Sequence, residues 1–402
     1  MARRVVVTGL GVVSALGVNR AEHFEGLREG RSGIGPLEIT DIDRLSVKIG
    51  GASPFQPEGR FDKSDLAFFD RTTQMAVVAA EEAMAESGLD FGDDGAVRAG
   101  VVFGTALCGM ESIDNAYRTV FLDGKNRVHP FLVPRLMSNA GASQISMRFG
   151  LRGPSWTVST ACSSANHAIG QAYELVRDGR ADVMLAGGAE APLVFGVLKA
   201  WEGLRVMSRD VCRPFSANRT GMVQGEGAAV LVLETLESAR ARGAKIWGEI
   251  AGFGMTADAS DIVTPSIDGA SRAIAAALAD AEMSPDAVGY INAHGTATAA
   301  NDKTECAAIR RVFGPAADAV SVSSTKSMHG HGIGAAGALE ASACLLALTE
   351  GVIPPTINFE EPDEACDLDV TPNEARERSV DAALSNSFAF GGLNAVLAFR
   401  KI

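Results

Sequence analysis

Short apolar runs alternate with amphipathic segments along the whole chain. The clearest helical pattern spans residues 72–87, where Met75, Val78 and Ala83 recur on one helix face and Gly88 follows. β-Branched runs between such segments predict strands. The predicted strands span residues 4–8, 99–103, 156–160, 183–186, 228–233, 246–250 and 320–324. A further predicted strand ends at residue 292, and two more lie on either side of residues 388–392. The predicted helices lie at 21–29, 72–87, after Cys162, and at 236–243, 271–282 and 302–312, with an inserted helical segment across 105–150.

The order of these elements repeats along the chain. Alternating strands and helices favour parallel crossovers and a layered α/β architecture. Each half begins with a predicted strand followed by Gly-x-Gly, at residues 9–11 and 252–254. The first of these is not a dinucleotide-binding fingerprint, because the position of the third glycine holds Ser14. We therefore predict a duplicated fold, with an N-terminal half over residues 1–250 and a C-terminal half over residues 251–402.

Composition and charge narrow the class of protein. A chain of 402 residues exceeds the size at which single cores stop growing, which agrees with two packed halves. A net charge of −13 argues against non-specific binding of nucleic acid or anionic membranes. Six scattered cysteines without a C-x-x-C pair indicate a reducing compartment, so we predict a cytoplasmic protein.

The N-terminus imitates a signal peptide, because two arginines precede an apolar run. That run is rich in Val and Gly rather than Leu, and no disulfide pattern suits export, so it is predicted to be a buried strand. No apolar stretch approaches the roughly 20 residues of a membrane-spanning helix. We therefore predict a protein without a membrane span.

Residues 156–180 contain the strongest candidate for a nucleophile. A predicted buried strand leads to Cys162, and the helix that follows keeps its apolar residues on one face until Gly179. A helix N-terminus offers free N–H groups and a positive dipole end, which lower the pKa of a thiol. The alternative is a buried structural cysteine, the commoner role of a single Cys.

Polar residues after other predicted strands supply partners for a thiolate. His294, His329 and His331 lie among glycines at strand ends, where active-site residues of α/β folds collect. Lys326 could hold positive charge in the same pocket, and Glu340 is its candidate buried counter-ion. The alternatives are surface histidines, a solvated helix face for Glu340, and a metal site. A metal site is disfavoured because no carboxylate ligand lies near these histidines in the sequence.

These residues stand in four ordered motifs. ACSSANHA surrounds Cys162, NAHGTAT surrounds His294, SSTKSMHGHGIGAAGALE contains Lys326 and His331, and SNSFAFGGLNAVL lies near the C-terminus. Together they resemble β-ketoacyl-acyl-carrier-protein synthases of the elongating, type II kind, and the likeness spans essentially the whole chain. The stretches SANHA and ADVMLAGGAEAPLV are most similar to the nodulation-type ketosynthases of rhizobia. The resemblance implies a thiolase-like, duplicated five-layer αβαβα fold, a homodimer and no cofactor.

The resemblance also implies a role for each candidate residue. Cys162 is the expected acyl-accepting nucleophile, and His294 and His331 are the two expected catalytic histidines. Three further residues are expected in the catalytic machinery: the lysine Lys326, its supporting acid Glu340, and the gating aromatic Phe390, whose N–H shares an oxyanion hole with Cys162. The expected substrate-binding residues are Thr296 and Thr298 at the pantetheine arm, Leu107 at the limit of the acyl chain, Leu132 and Phe388.

The implied reaction is a two-stage transfer. The thiolate of Cys162 attacks an acyl thioester, malonyl carrier protein loses CO2, and the resulting carbon nucleophile attacks the acyl-enzyme. Two histidines, rather than one His and one Asn, point to elongation from acyl carrier protein. A thiolase would carry a second Cys in a C-terminal Cys-x-Gly motif, where residues 388–392 read FAFGG. A non-catalytic chain-length partner of the same fold would lack the nucleophile.

The expected protein partner is an acidic acyl carrier protein, which must meet positive charge on a net acidic chain. Lys125, Arg127 and Arg205 are the candidate docking residues. Two segments depart from the family pattern. Residues 67–69 are Ala-Phe-Phe where the family is often basic, and residues 258–263 lack the histidine often found there.

Overall fold

The computed structural model describes residues 3–92 and 96–402. Its central element, within those residues, is one mixed sheet of ten strands. In chain order the strands are β1 (Val5–Ser14), β2 (Ala99–Gly104), β3 (Ser155–Val158), β4 (Val183–Glu190), β5 (Gly227–Thr235), β6 (Gly248–Ala257), β7 (Tyr290–Asn292), β8 (Ser321–Ser323), β9 (Ala382–Ala389) and β10 (Leu393–Arg400). Across the sheet they lie in the order β8-β7-β9-β10-β6-β1-β5-β4-β2-β3.

The sheet has two halves with the same strand order and directions. In the N-terminal half β3, β2 and β4 are parallel, and β5 and β1 follow antiparallel. In the C-terminal half β8, β7 and β9 are parallel, and β10 and β6 follow antiparallel. The halves join where residues 5–7 of β1 pair with residues 248–250 of β6. The duplicated α/β fold is thus confirmed, whereas the boundary at residue 250 stays a prediction and falls inside β6.

Helices cover both faces of the sheet. They are α1 (Arg20–Glu29), α2 (Lys63–Phe68), α3 (Arg71–Ser87), α4 (Met110–Tyr117), α5 (Leu132–Leu136), α6 (Ala140–Arg148), α7 (Ser164–Arg177), α8 (Phe195–Gly203), α9 (Leu236–Ala241), α10 (Ile267–Asp280), α11 (Ala299–Phe313), α12 (Lys326–His329) and α13 (Ala336–Glu350). The predicted helical insertion is α4, a π-helical turn at Arg118–Leu122, α5 and α6. Two-residue strands pair at Gly35–Pro36 with Ile49–Gly50 and at Val352–Ile353 with Arg376–Glu377.

The helices and strands form five layers. α3 packs on β1 and β5 as one outer layer, and α10 packs on β6 and β10 as the other. Between the halves, α7 packs on β4 and β2, while α13 packs on β9 and β5. One buried apolar cluster surrounds these two inner helices, and two more lie beneath the outer helices. This is the layered architecture that the sequence resemblance implied.

One apolar helix has the length and composition of a membrane-crossing segment. The window Ile333–Glu350 has a mean hydropathy of 1.3, and 89% of it is buried inside the fold. Glycine and alanine make this window weakly rather than strongly apolar, so its sequence does not stand out as a membrane-spanning pattern. A helix that is apolar all round is expected where both faces meet protein, as for this inner helix.

The two Gly-x-Gly sequences lie inside strands and not after them. β1 runs through residues 9–11, and β6 runs through residues 252–254. A Cβ on Gly11 would lie 1.9 Å from the carbonyl oxygen of Ala79 in α3, and a Cβ on Gly254 would meet α10 at 2.3 Å. These glycines let each outer helix approach its sheet closely. The predicted strand ends at residues 8 and 250 are therefore wrong.

Candidate active site

Cys162 lies in a tight turn at the start of an inner helix. The turn is a 3-10 segment, Ala161–Ser163, between β3 and α7. Ala161 adopts a φ of 51°, in the left-handed region, which orients the turn. Cys162 is 5% exposed. The predicted strand–turn–helix is present, but β3 is the edge strand of the sheet and Trp156 is only half-buried.

His331 contacts Cys162 from the loop after α12. Its Nε2 lies 3.1 Å from Sγ of Cys162. The backbone N–H of Ile333 donates to Nδ1 of His331 at 3.2 Å. Because Nδ1 accepts a hydrogen bond, the neutral ring carries its proton on Nε2 and donates it toward the sulfur.

His294 stands beside His331, with ring centroids 5.5 Å apart and planes inclined at 84°. Nζ of Lys326 lies 3.5 Å from Nδ1 of His294 and 2.6 Å from its carbonyl oxygen. An ammonium group can only donate, so it favours a proton on Nε2 in this ring as well. Both histidines therefore carry their ring N–H on Nε2.

Lys326 and Glu340 form a buried ion pair behind the histidines. Both side chains are fully buried, and Nζ of Lys326 donates to Oε1 of Glu340. Burial raises the pKa of Glu340 to about 7, while the charge of Lys326 opposes the rise. The positive charge of Lys326 thus lies beside His294, and it also acts to lower the pKa of the Cys162 thiol.

The histidines are neutral because of this environment. Burial is the main cause that lowers the pKa of His294 and His331 well below the usual value of 6.5, and the charge of Lys326 adds to it. A protonated imidazole next to the ammonium would also lack a counter-ion. The site therefore holds two neutral donors at neutral pH.

The pKa of the Cys162 thiol is raised, so the expected lowering is wrong. Burial raises the pKa of this thiol to about 12. The charge of Lys326 and a hydrogen bond from the backbone N–H of Phe390 act in the opposite direction. The helix N-terminus is present as predicted, but loss of hydration outweighs it in a side chain that is almost fully enclosed.

A cleft that is open to solvent leads to Cys162, His294 and His331. Phe390 lines it, and its ring lies 5.6 Å from that of Trp201 at 31°. Both aromatic rings line the cleft that contains the sulfur. Further lining residues include Phe388, Arg205, Arg219 and Met222.

The structure brings most of the predicted substrate-binding residues to this cleft. Thr296 and Thr298 line it, and their hydroxyl oxygens lie 2.9 Å apart. Phe388 packs against His294, with ring centroids 6.2 Å apart. Leu107 packs in the apolar cluster around the Cys162 side chain, although it is not among the residues that line the cleft. Leu132 lies in α5 and is not among the residues that line the cleft.

The candidate docking residues lie in two places. Arg205 is exposed and lines the cleft, at a φ of 56°. Lys125 and Arg127 are exposed in the loop after the π-helical turn. Nζ of Lys125 pairs with Asp123 at 3.1 Å, which offsets part of its charge.

Two residues of the site were missed by the sequence analysis. The buried carboxylate of Glu305 accepts the backbone N–H groups of His294 and Gly295, each at 2.8 Å, and so holds the His294 loop. Trp201 stacks on Phe390 at the cleft. The position of Glu305 on α11, shortly after the NAHG sequence, was the available signal. For Trp201 the sequence offers no comparable signal.

Cys162, His294 and His331 also form a group of potential metal ligands. One donor atom from each lies within 4.8 Å of the others. A metal requires a lone pair on the coordinating nitrogen. The donors at both Nδ1 atoms place protons on both Nε2 atoms, so the arrangement suits hydrogen-bond donation and opposes metal binding.

Comparison with known families identifies the class of protein. The Beta-ketoacyl synthase N-terminal domain matches residues 2–239, and the Beta-ketoacyl synthase C-terminal domain matches residues 247–360. The chain therefore belongs to the β-ketoacyl synthase family of condensing acyltransferases. The family expected from the four sequence motifs is confirmed.

Individual relatives are similar over their whole length. Nodulation protein E of Rhizobium sp. (strain N33) is 52% identical over 402 residues, covering 100% of both chains. A 3-oxoacyl-[acyl-carrier-protein] synthase 2 of Staphylococcus aureus (strain N315) is 42% identical, covering 99% of this chain and 98% of the relative. The similarity to nodulation-type sequences is thus confirmed.

Solved structures show the same fold. The ishigamide ketosynthase/chain length factor matches with a TM-score of 0.93 at 38% identity, covering 100% of both chains. A β-ketoacyl synthase of Burkholderia phymatum matches with a TM-score of 0.92 at 37% identity and the same coverage. A type II polyketide ketosynthase, solved with its acyl-carrier protein and bound to the hexaketide, matches at 0.90 and 33% identity, again covering 100% of both chains.

Proposed function

We propose that this chain is an elongating 3-oxoacyl-[acyl-carrier-protein] synthase, which condenses malonyl carrier protein with an acyl group held on Cys162. The contact between Nε2 of His331 and Sγ of Cys162, with the His294 ring beside it, carries this proposal. It joins a nucleophile to two neutral N–H donors in one enclosed site. Similarity to the synthase 2 of S. aureus and to a ketosynthase solved with its carrier protein supports the choice of substrate.

The first stage is acyl transfer to Cys162. Sγ attacks the carbonyl carbon of an acyl thioester, and the bond to the pantetheine sulfur breaks. The backbone N–H groups of Cys162 and Phe390 face the oxygen that becomes negative. The proton of the Cys162 thiol is transferred to the pantetheine sulfur, which departs as a thiol. The charge of Lys326 favours the thiolate in the transition state although burial keeps the resting thiol protonated.

The second stage is decarboxylative condensation. The bond from the malonyl α-carbon to its carboxylate breaks, CO2 departs, and the electron pair forms an enolate. The Nε2–H groups of His294 and His331 donate to the enolate oxygen, and neutral donors serve this purpose without a proton transfer. The α-carbon then attacks the acyl-enzyme carbonyl, and the Cys162 thiolate is released. Loss of CO2 drives the step, so no cofactor is needed.

The rival functions lack support in the site. A thiolase would place a second cysteine beside the nucleophile, where this chain has Phe388 and Phe390. A non-catalytic chain-length partner would lack the Cys–His–His arrangement.

We assign the protein to the cytoplasm, as a homodimer whose N-terminal half (1–250) carries the nucleophile and whose C-terminal half (251–402) carries the histidines and Lys326.

Intact-protein mass spectrometry tests the proposal. Incubation with acyl carrier proteins should add one acyl group to the wild type and none to Cys162→Ala. Addition of malonyl carrier protein should release the 3-oxoacyl product from the wild type. Cys162→Ala should retain malonyl decarboxylation, because both histidines remain, while its condensation falls below about a hundredth of wild type. An acyl adduct on another residue, or none, would refute the proposed function.

A further inference from the structure

Glu190 is a buried carboxylate that the reaction described above does not use. It is the last residue of β4 and is fully buried. Within the described residues it forms no ion pair. Its oxygens instead accept four hydrogen bonds, from the hydroxyl of Thr105 and from three backbone N–H groups. A buried acid without a cation costs free energy, so four donors aimed at it indicate a specific role.

The four donors come from two loops on either side of Cys162. Oε1 accepts from Thr105 Oγ1 at 3.1 Å and from the N–H of Leu107 at 3.0 Å. Oε2 accepts from the N–H of Ala106 at 2.8 Å and from that of Gly334 at 3.1 Å. The first loop follows β2 and carries Leu107, and the second follows His331. The carboxylate therefore connects the loop at the acyl group to the loop of a catalytic histidine.

The second loop sets the orientation of His331. Gly334 directly follows Ile333, whose N–H donates to Nδ1 of His331. Ile333 has a φ of 44°, a strained conformation for a β-branched residue, so this turn needs an external anchor. A Cβ on Gly334 would lie 2.5 Å from the N atom of Ala106 and 2.5 Å from Oε2 of Glu190. The two loops and the carboxylate therefore pack too closely for any side chain at residue 334.

We propose that Glu190 is a positioning residue of the condensing reaction, whose carboxylate fixes the Leu107 loop and the His331 loop relative to Cys162. This rests on the proposed function. Burial raises the pKa of Glu190 to about 7, against the effect of its donors. Glu190 does not line the cleft, so it acts through Leu107 and through the backbone N–H of Ile333. Its loss changes rates rather than the binding of carrier protein.

The isosteric variant Glu190→Gln distinguishes the effect of Glu190 on the Leu107 loop from its effect on the His331 loop. The glutamine oxygen is needed by two N–H groups, those of Ala106 and Gly334. Its NH2 group then faces Thr105, whose hydroxyl can turn to accept, and the N–H of Leu107, which cannot. Glu190→Gln should therefore disturb the acyl side and spare the histidine side. Glu190→Ala removes all four acceptor contacts and should disturb both.

The experiment measures acylation of Cys162 by acyl carrier protein and decarboxylation of malonyl carrier protein separately. In Glu190→Gln, acylation should fall roughly tenfold and decarboxylation by less than about threefold. In Glu190→Ala both should fall roughly tenfold or more, with KM for the carrier protein within about twofold of wild type. Thermal unfolding reports whether each variant is folded, and Glu190→Gln decides the question if Glu190→Ala does not fold.

Glu234→Gln is the matched control. Glu234 is also fully buried, and it pairs with Val183 at the opposite end of β4 from Glu190. It bonds to Thr8 and Arg242, away from the cleft, so both rates should stay at wild type. Wild-type rates in folded Glu190→Gln, or an equal loss in Glu234→Gln, would overturn the role of Glu190. Absence of an adduct on wild-type Cys162 would instead refute the proposed function.

Discussion

The backbone N–H of Ile333 donates to Nδ1 of His331, and this single contact places the ring proton on Nε2, the nitrogen that faces Cys162. Lys326 has the same effect on His294 from a side chain. Two different groups, one backbone amide and one ammonium, thus impose the same tautomer on both rings. The site is a pair of preorganised donors, which suits stabilisation of an enolate better than removal of a proton.

The first prediction concerns pH. Burial and Lys326 lower the pKa of His294 and His331 well below 6.5, so both rings stay neutral when the pH falls through that value. Condensation from a preformed acyl-enzyme should therefore show no acid limb from either histidine between about pH 8 and about pH 5.5. Any limb near pH 7 belongs to Glu340 or Glu190, whose pKa burial raises to about 7. Single-turnover quench experiments measure this rate.

The same shifts predict the sign of the stability change. A histidine whose folded pKa is lowered contributes stability that is present above its unfolded pKa of about 6.5 and is lost as the pH falls below it. Acid should thus destabilise the fold before it slows the chemistry of the folded enzyme. A rate that halves near pH 6.5 in the folded protein, and still does so in Glu340→Gln and in Glu190→Gln, would contradict the assignment of neutral rings.

The second prediction concerns metal ions. Cys162, His294 and His331 have the types and spacing of zinc ligands, but both Nε2 atoms carry protons. Zinc should therefore bind weakly at neutral pH. Lys326→Met removes the ammonium that holds the His294 tautomer, and it should bind zinc at least about tenfold more tightly, since each metal–imidazole bond requires the free lone pair.

Cobalt(II) gives this test a spectroscopic readout, because thiolate and imidazole coordination produces visible absorption. Cys162→Ala in the Lys326→Met background removes the thiolate and should abolish the spectrum. Tight cobalt binding by the wild type through Cys162 would show that the Nδ1 donors do not control the tautomers. The measurement also detects any second site, since binding without the Cys162-dependent spectrum would lie elsewhere.

Much of this site could be predicted from sequence because its residues follow short, distinct signals. Cys162, His294 and Lys326 each follow a predicted strand at a turn, and the order of strands and helices repeats in the two halves. Strand ends collect at one edge of a parallel sheet, so the side chains converge. The sequence also predicted that Glu340 is buried, although its helix is apolar on all sides.

Other features could not be predicted because they depend on packing between distant segments. Gly11 looks like a strand end, but it is a strand residue pressed against α3. The pKa of Cys162 depends on how completely the other half covers it, which no local pattern records. Glu190 and Glu305 act on backbone N–H groups far along the chain or in another element, and a backbone donor has no sequence signature.

The third prediction concerns docking of the carrier protein. Arg205 lies at the cleft, whereas Lys125 is paired with Asp123 in a loop that does not line the cleft. Reversal of an exposed charge that meets an acidic partner should raise KM roughly two- to fivefold at low salt. Arg205→Glu should show this rise, and the double variant Lys125→Glu, Arg127→Glu should show a smaller one. Both effects should shrink as salt is added.

The rate of Cys162 acylation, measured at varied concentrations of acyl carrier protein, gives KM for each variant. Arg240→Glu is a suitable control, because Arg240 lies on α9 and does not line the cleft at Cys162. Equal effects for Arg205→Glu and Arg240→Glu would point to the overall charge of the protein instead of a local patch. A larger effect at Lys125 and Arg127 would place the docking surface on the helical insertion.

The last prediction concerns chain length. Leu107 packs with Cys162, Ile333 and Ala389, and its N–H is held by Glu190, so its side chain cannot move away easily. Leu107→Phe should narrow the space beyond the sulfur, because added volume in a packed site forbids entry. Each CH2 of an acyl chain that is no longer buried costs about 0.8 kcal/mol, so the loss should grow with every carbon beyond the block. Acylation of Cys162 across a series of acyl carrier proteins measures it. Equal losses for short and long chains in Leu107→Phe would show that Leu107 does not line the path of the acyl group.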